Sequence, residues 1–385
     1  MKIQITLLAA AAIAISGITL QAQDKKSGSA SDFLKKPVKG LELKSVGRVS
    51  FGPKGLLLVS DPASASVVAI DTGDTGPVKK LAAKVENVES KLIDAFGVQK
   101  GGVKIIDMAV NPESGNIWLT ANVNPGNQPK IVKVDSAGKF SEPDLKSMPH
   151  VRMTLPSSEN EKLRNVTDLA WGEFSVIVAG QSTGEFSNKI FQIPIPLEHG
   201  ENAQFYSAET YHVAHRKWET KAPIQSFIPY EEDGKNYIVG AFACTPIAKF
   251  PLDDIETGAE VKGTSVVELG SGNRPRDMFT YRKDGEEWLV TNTHRFKKNL
   301  FGPSKFWAAK VKMSHLEAND EDNTNENAVR RNDKVASGPE ANGMEVVEEL
   351  FGAVLVSQLE NAEVIVLRAT SEEATSHDLE LVELK

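Results

Sequence analysis

Cysteine is nearly absent: Cys244 stands alone among 385 residues. No internal disulfide can form, so a domain of this size must be held by its own packed core. The pattern Cys-x-x-Cys-His does not occur, which excludes covalent haem. Gly-x-Ser-x-Gly and the glycine-rich loops that cradle phosphates are also missing. Positive charge is in deficit, with 44 Lys and Arg against 52 Asp and Glu and a net charge of -8. A phosphate backbone needs a basic face, so nucleic acid is excluded as a partner. After the first residues there is no further apolar run of the roughly twenty residues a membrane span requires.

The first residues themselves are of another kind. Met1-Lys2 is followed by an apolar run from Ile3 to Leu20, then by Gln21-Ala22 and the polar Gln23-Asp24-Lys25-Lys26. This order reads as a secretory signal over residues 1–22 with cleavage after Ala22. No cysteine follows that point, as a lipoprotein would need. The mature chain is expected in the periplasm or outside the cell, with a flexible lead-in over residues 23–37 and one domain over 38–385.

What that domain contains in quantity is a repeat. A polar residue opens a short apolar strand, a turn with Gly or Asp follows, then a second strand, a polar loop and a third strand. Arg48-Val49-Ser50-Phe51 turns at Pro53-Lys54-Gly55 into Leu56-Leu57-Leu58-Val59. Asp107-Met108-Ala109-Val110 turns at Glu113-Ser114-Gly115 into Ile117-Trp118-Leu119-Thr120. Asp168, Ser226 and Asp277 open three more copies, the last two with Asp233-Gly234 and Asp284-Gly285 turns. Glu345-Val346-Val347, with a turn at Phe351-Gly352, reads as the sixth opening. A period of roughly sixty residues built from short strands and glycine turns means one antiparallel sheet per repeat. Such a sheet cannot bury both faces alone, and radial closure of several removes their exposed edges. The expected fold is all-β, a β-propeller of six blades. Seven would follow if Val38 to Lys44 and Leu379 to Leu384 built an extra sheet; the preferred reading has these two segments share a blade and close the ring.

Two insertions stand out. Val85, Val88, Leu92 and Phe96 recur at helical spacing before Gly97, predicting a short helix over 83–96 on the rim between the first two blades. Glu317 to Asn342 is rich in Asn, Asp and Glu with few large apolar groups, and reads as a solvated loop.

Each blade of a propeller begins at the central channel, so the opening residues Arg48, Asp107, Asp168, Ser226, Asp277 and Glu345 should meet at one mouth. Carboxylates converging on one axis repel unless a cation sits among them. Arg48, Arg274 and Arg276 offer that charge, and Ca²⁺ would suit an all-oxygen ring equally well. In the alternative, each Asp bonds backbone amides of its own blade. A second group is His212, His215 and Glu219, with Cys244 and His294 from neighbouring stretches. Imidazoles with a carboxylate or thiolate hold Zn²⁺ or Cu²⁺. Residues three apart point to opposite faces of a regular strand, so His212 and His215 need a turn to converge. In the plainer reading this is a polar loop and Cys244 a buried hydrophobe.

Ser45-Val46-Gly47-Arg48-Val49-Ser50-Phe51-Gly52-Pro53-Lys54-Gly55, continued by Val59-Ser60-Asp61, resembles the opening blade of gluconolactonase-like and NHL-type propellers. The resemblance implies the propeller fold. The lactonases carry a metal-binding glutamate in a Glu-Gly-Pro motif, where this chain has Phe51-Gly52-Pro53, so no catalytic residue carries over. Tyr211 to Pro223, Ala243-Cys244-Thr245-Pro246 and Asn273-Arg274-Pro275-Arg276-Asp277-Met278 are similar to stretches in a group of secreted bacterial propellers. That likeness implies shared fold and export, and no activity.

Three functions fit these residues. One is an exported binding module, monomeric, holding a small molecule or a protein at the channel mouth. Another is a hydrolase or oxidoreductase using one divalent metal. The third is a scaffold for protein assembly that uses the acidic loop.

Overall fold

The computed structural model describes residues 29–212, 217–243, 246–253, 256–269, 272–295, 304–317, 329–330 and 344–385. Within them the strands form six sheets. Blade 1 pairs Val49–Phe51, Leu56–Asp61, Ser66–Asp71 and His150–Thr154, and blade 2 pairs Val103–Val110, Ile117–Val123, Gln128–Val134 and Phe140–Ser141. Blade 3 runs Leu163–Trp171, Ser175–Ser182, Asn188–Pro194 and Gln204–His212, edged by Lys217–Glu219. Ile224–Glu232, Lys235–Phe242, Pro246–Pro251 and Thr264–Glu268 make blade 4. Blade 5 has Asn273–Lys283, Glu286–Arg295, Phe306–Lys312 and Met344–Val346, and blade 6 has Ala353–Glu360, Glu363–Ala369 and His377–Glu383. The six-bladed propeller expected from the repeat is the fold.

Local chemistry explains the sheets. The middle strands of the blades are near-continuous buried runs, as in Leu56–Asp61 and Ser175–Ser182, because each sheet is covered on both faces by its neighbours, and the hairpins close where backbone can turn left-handed. Asp233 and Gly234 have φ of 50° and 75°, and Asp284 and Gly285 have 52° and 79°. Two successive positive φ values make the tight turn whose twist matches that of paired strands.

The order of the blades was not legible. Around the channel, blade 1 is followed by blades 2, 6, 5, 4 and 3, and blade 3 closes on blade 1. Six apolar clusters fill the six interfaces of this ring. Trp118 and Ile131 of blade 2 pack with Leu57 and Val68 of blade 1, and Leu119 and Val132 pack with Ile365 and Leu367 of blade 6. Phe191 and Val178 of blade 3 meet Leu56 and Val67 of blade 1. The chain crosses from blade 2 to blade 3 by running back along blade 1, where His150–Thr154 pairs antiparallel with Ser66–Ile70 as the outermost strand.

Ring closure therefore differs from the shared blade expected of the two termini. Val38 bridges His150 on the edge of blade 1, whereas Leu379 lies in the outer strand of blade 6 and bridges Val85. The helix α1, Val88–Phe96, is shorter than the predicted 83–96, because Val85 is taken by that bridge. It ends at Gly97, which has φ of 63°. Its buried Val88 and Leu92 pack between blades 2 and 6 rather than 1 and 2.

Residues 29–37, read as a flexible lead-in, are anchored. Ser29 and Asp32 cap a short 3-10 helix, Ala30–Phe33, Phe33 packs edge-on against Trp171 at 5.3 Å, and Leu34 is buried beside Leu197. Within the acidic stretch, Val329–Arg330 pairs in parallel with Val267 and Glu268 on the edge of blade 4. The predicted signal, residues 1–22, lies outside the described residues. Among the described residues no helix is long and apolar enough to cross a membrane.

Candidate functional site

The blade openings meet, and Arg48 lies at their centre. Its Nη1 donates to Asp107 Oδ1 at 2.9 Å and to Asp277 Oδ1 at 3.4 Å. Nη2 donates to the main-chain oxygens of Gln225, at 3.4 Å, and of Arg276. Nε lies 3.6 Å from Asp168 Oδ1. One guanidinium thus ties blade 1 to blades 2, 3, 4 and 5. Its side chain is 11% exposed, and those of Asp107, Asp168 and Asp277 are 4%, 16% and 13% exposed.

The carboxylates also reach outward, to a neighbouring blade rather than only to their own. Asp107 accepts Val49 N–H from blade 1 at 2.8 Å. Asp168 accepts Phe227 N–H from blade 4 at 2.9 Å, and Leu169 N–H of its own strand. Asp277 accepts Val356 N–H from blade 6 at 2.9 Å. In each case the donor is the residue after the equivalent position of the adjacent blade, so Asp-bearing blades alternate round the ring with blades bearing Arg48, Ser226 and Leu355. Beta-bulges precede these positions in blades 2 to 6, at Ile105/Asp107, in the Asp168 register, at Ile224/Ser226, Pro275/Met278 and Ala353/Leu355. A bulge bends the strand and re-aims the side chain that follows. Here it turns the opening residue to the axis.

The sixth opening is Leu355, not Glu345. Met344–Val346 is the outer strand of blade 5, and Glu345 pairs there with Lys310 at 3.3 Å, its side chain 56% exposed. The Glu345 reading was one strand out of phase. Val354-Leu355-Val356, just after the Phe351-Gly352 turn, lies in the inner strand, whose hairpin turns at Asn361.

Three carboxylates share one guanidinium, and for Asp107 and Asp168 it offsets burial only in part. Burial alone would lower the affinity of Arg48 for its proton, but Asp107, Asp168 and Asp277 outweigh burial and raise it. Burial pushes Asp107 up to about 6, reinforced by Asp277 and Asp168 against the pull of Arg48. Burial also raises Asp168, against Arg48 and the hydrogen bonds from Phe227, Ser226 and Leu169. The centre is occupied by protein groups holding one another. It is a clasp.

Beyond the clasp, at the mouth where the inner strands begin, a cavity of 470 Å³ opens between blades 2, 5 and 6. Arg276, His294 and His377 line it, and Arg276 Nε, His294 Nε2 and His377 Nε2 are all buried without a hydrogen-bond partner. Arg276 lies within the bulge of blade 5, between Pro275 and Met278, with its carbonyl on Arg48 and its side chain in the cavity wall. Burial, with Lys305, Arg276 and Arg274 nearby, lowers His294 to about 4, so this ring is neutral at pH 7. It stacks on Phe306 at 4.8 Å. His377 opens the outer strand of blade 6, and its Nδ1 lies 2.5 Å from Glu89 Oε1 of α1.

Of the second predicted group, His212 is buried at the end of blade 3's strand opposite Lys217, and Glu219 pairs with Lys217 at 3.1 Å. His215 and Cys244 lie outside the described residues. His294 belongs to the cavity just described, and among the described residues no three His, Cys, Asp or Glu side chains stand together as a metal site. Arg274 faces His294 across the blade 5 hairpin and adds charge to the mouth. Sequence reasoning missed Glu89, His377 and Leu355. Glu89 and His377 stand 288 residues apart, and nothing local in either stretch signals the pairing.

No family model matches the chain, and no curated protein matches it. Among solved structures it is similar to the PQQ-bound aldose sugar dehydrogenase of Streptomyces coelicolor, at 10% identity over 91% of this chain and 97% of that one, TM-score 0.33. A putative 6-phosphogluconolactonase of Bacteroides uniformis matches at 8% identity over 86% and 75%, TM-score 0.33. Virginiamycin B lyase of Staphylococcus aureus matches at 9% identity over 90% and 98%, TM-score 0.28. Likeness this weak carries nothing over to this chain.

Proposed function

We propose that this chain is an exported binding module that captures a small anion in the cavity between blades 2, 5 and 6. One observation carries the reading: Arg276, His294 and His377 line one cavity, and each keeps a buried side-chain nitrogen without a hydrogen-bond partner. A buried polar atom left unpaired costs about 1–3 kcal/mol, and a bound molecule that pairs it recovers that cost. Charge sets the sign of the ligand. Arg276 and Lys104 line the site and the charges of Lys305 and Arg274 reach His294 in its wall, while the carboxylate of the lining, Glu89, is engaged by His377.

The clasp beneath the cavity supports the reading differently. Arg276 is held through its main-chain oxygen by Arg48, so its side chain projects from a rigid base. A thermal-shift series with acetate, lactate, phosphate and Ca²⁺ tests the proposal. An anion at a hundred times its Kd adds about 2.7 kcal/mol of stability, and R276M should abolish that gain. If no anion shifts the melt, or if R276M responds like the parent protein, the reading fails. A shift with Ca²⁺ alone would point instead to the metal-dependent alternative.

A further inference from the structure

A second cavity, of 250 Å³, lies where the loop that leaves blade 1 meets blade 3, and it shares no lining residue with the first. Its polar lining centres on Lys189, a residue only 8% exposed. Lys189 Nζ donates to Ser207 Oγ at 2.8 Å and lies 2.9 Å from Glu161 Oε1. Ser182 Oγ donates to that same oxygen at 2.5 Å. Glu161 is set by its own turn, in which its N–H donates to Ser158 Oγ at 3.0 Å and its carbonyl accepts Ser158 N–H at 2.9 Å. Gly184 leaves room for it, since a Cβ there would stand 2.3 Å from Glu161 Oε1. Burial works to raise the pKa of Glu161, but the bonds from Ser182 and Lys189 outweigh burial and lower it. At pH 7 this carboxylate is ionised and only accepts.

An ammonium has three hydrogens, and Ser207 and Glu161 place two of them. The third has no acceptor among the described residues, and Glu161 Oε2 has no donor among them. Both residues line the cavity, and Oε2 shares its carbon with Oε1, so one ligand oxygen can span the two. A cation there would meet Lys189 and an anion would meet Glu161. Glu201, the remaining charge of the lining, is exposed and screened by solvent. A hydroxyl donates and accepts without charge. The apolar lining is Pro156, Leu163, Phe191 and Phe205, the two rings 5.9 Å apart and tilted by 40°. Lys189 Nζ stands 5.8 Å from the centroid of Phe205, so ring and ion pair adjoin. The volume of 250 Å³ is below the roughly 300–1,000 Å³ of drug-sized sites and suits one ring rather than two.

We infer that this cavity binds a small uncharged aromatic alcohol of the phenol class, its hydroxyl shared by Lys189 and Glu161 and its ring against Phe205. Isothermal titration of the full chain compares phenol with anisole, which accepts but cannot donate, and with cyclohexanol, which has the hydroxyl without the aromatic ring. Phenol should bind about tenfold more tightly than anisole, the worth of a hydrogen bond donated to a carboxylate. It should bind about threefold more tightly than cyclohexanol, the worth of one aromatic contact. E161L/K189M, which replaces both partners of the ion pair, should bind phenol and anisole alike. L163W fills the cavity, keeps the ion pair and should abolish binding of all three. In the parent protein, nuclear Overhauser contacts from the phenol ring should reach Phe205, a readout that needs no variant.

If anisole or cyclohexanol matches phenol, or if none of the three binds, the inference is overturned. It is overturned equally if the double variant keeps the preference, if L163W binds phenol as the parent does, or if bound phenol makes no contact with Phe205. Anion capture at Arg276 stands or falls separately.

Discussion

Two buried carboxylate sites in this molecule solve opposite problems. Asp107 in the central clasp is raised by burial, which a single guanidinium shared among three carboxylates does not offset. Asp74, in the connection from blade 1 to the rim, has donors in plenty. Trp118 Nε1 reaches it at 2.9 Å, Asn116 Nδ2 at 2.7 Å, Asn111 Nδ2 at 3.1 Å and Ser114 Oγ at 3.1 Å, with Lys133 at 3.8 Å. Burial works to raise its pKa, but the bonds from Trp118, Asn116 and Asn111 outweigh burial and lower it. Burial raises the pKa of both carboxylates, and the number and charge of their partners decide whether it is outweighed.

The contrast is open to attack, most forcefully at Arg48. R48M leaves three carboxylates buried without a cation and should cost about 3–5 kcal/mol, since a buried ion pair broken from one side leaves uncompensated charge. Urea unfolding at pH 7 measures it, and a loss below 1 kcal/mol would mean that the clasp is ornamental. R48M/D107N/D277N, which removes two of the stranded charges as well, should recover part of the loss.

D74A strands four donors and should cost about 3 kcal/mol at pH 7. The lowered pKa gives this cost a pH signature. Asp74 contributes fully above 3.8, its ordinary value, and the contribution fades as pH falls through the lower folded value. Parent and D74A should therefore converge in acid. Gly115, in the same knot, has φ of 77°, and a Cβ there would lie 2.3 Å from Lys79 O. G115A should cost about 2 kcal/mol by strain and steric clash. That cost should be the same at pH 4 and pH 7, which separates geometry from charge.

The smallest effect carries the opposite sign of pH dependence. Asp107 binds its proton more tightly folded than unfolded, so what it contributes is complete below 3.8 and is lost as pH rises through about 6. D107N keeps an oxygen for Val49 N–H and does not titrate. It should cost about 1 kcal/mol at pH 5 and less at pH 8, measured as paired urea midpoints. A gap that widens with pH would overturn the reading of the clasp as short of positive charge.

Much of the clasp was legible before the fold. Arg48, Asp107, Asp168, Ser226 and Asp277 recur at one position of the repeat, and that register is a local pattern, although Asp107, Asp168 and Asp277 lie midway along their strands rather than at the start. Glu345 was misplaced for a local reason too: Met344–Val346 and Ala353–Glu360 are both short apolar strands with polar neighbours, and periodicity cannot tell an outer strand from an inner one. The alternative in which each Asp caps its own blade held only for the Leu169 bond of Asp168. The other amides belong to the blade next door, and which blade that is cannot be read from spacing.

Sheets and turns answer to neighbours a few residues away, so the short apolar strands and the Asp233-Gly234 and Asp284-Gly285 hairpins followed from sequence alone. Ring order, the return of His150–Thr154 to blade 1, and the meeting of Glu89 with His377 across 288 residues are of another kind. Every blade offers similar apolar faces, so packing preference alone does not say which blade lies beside which. Only closure of the whole ring settles that choice, and with it the cavity at its mouth.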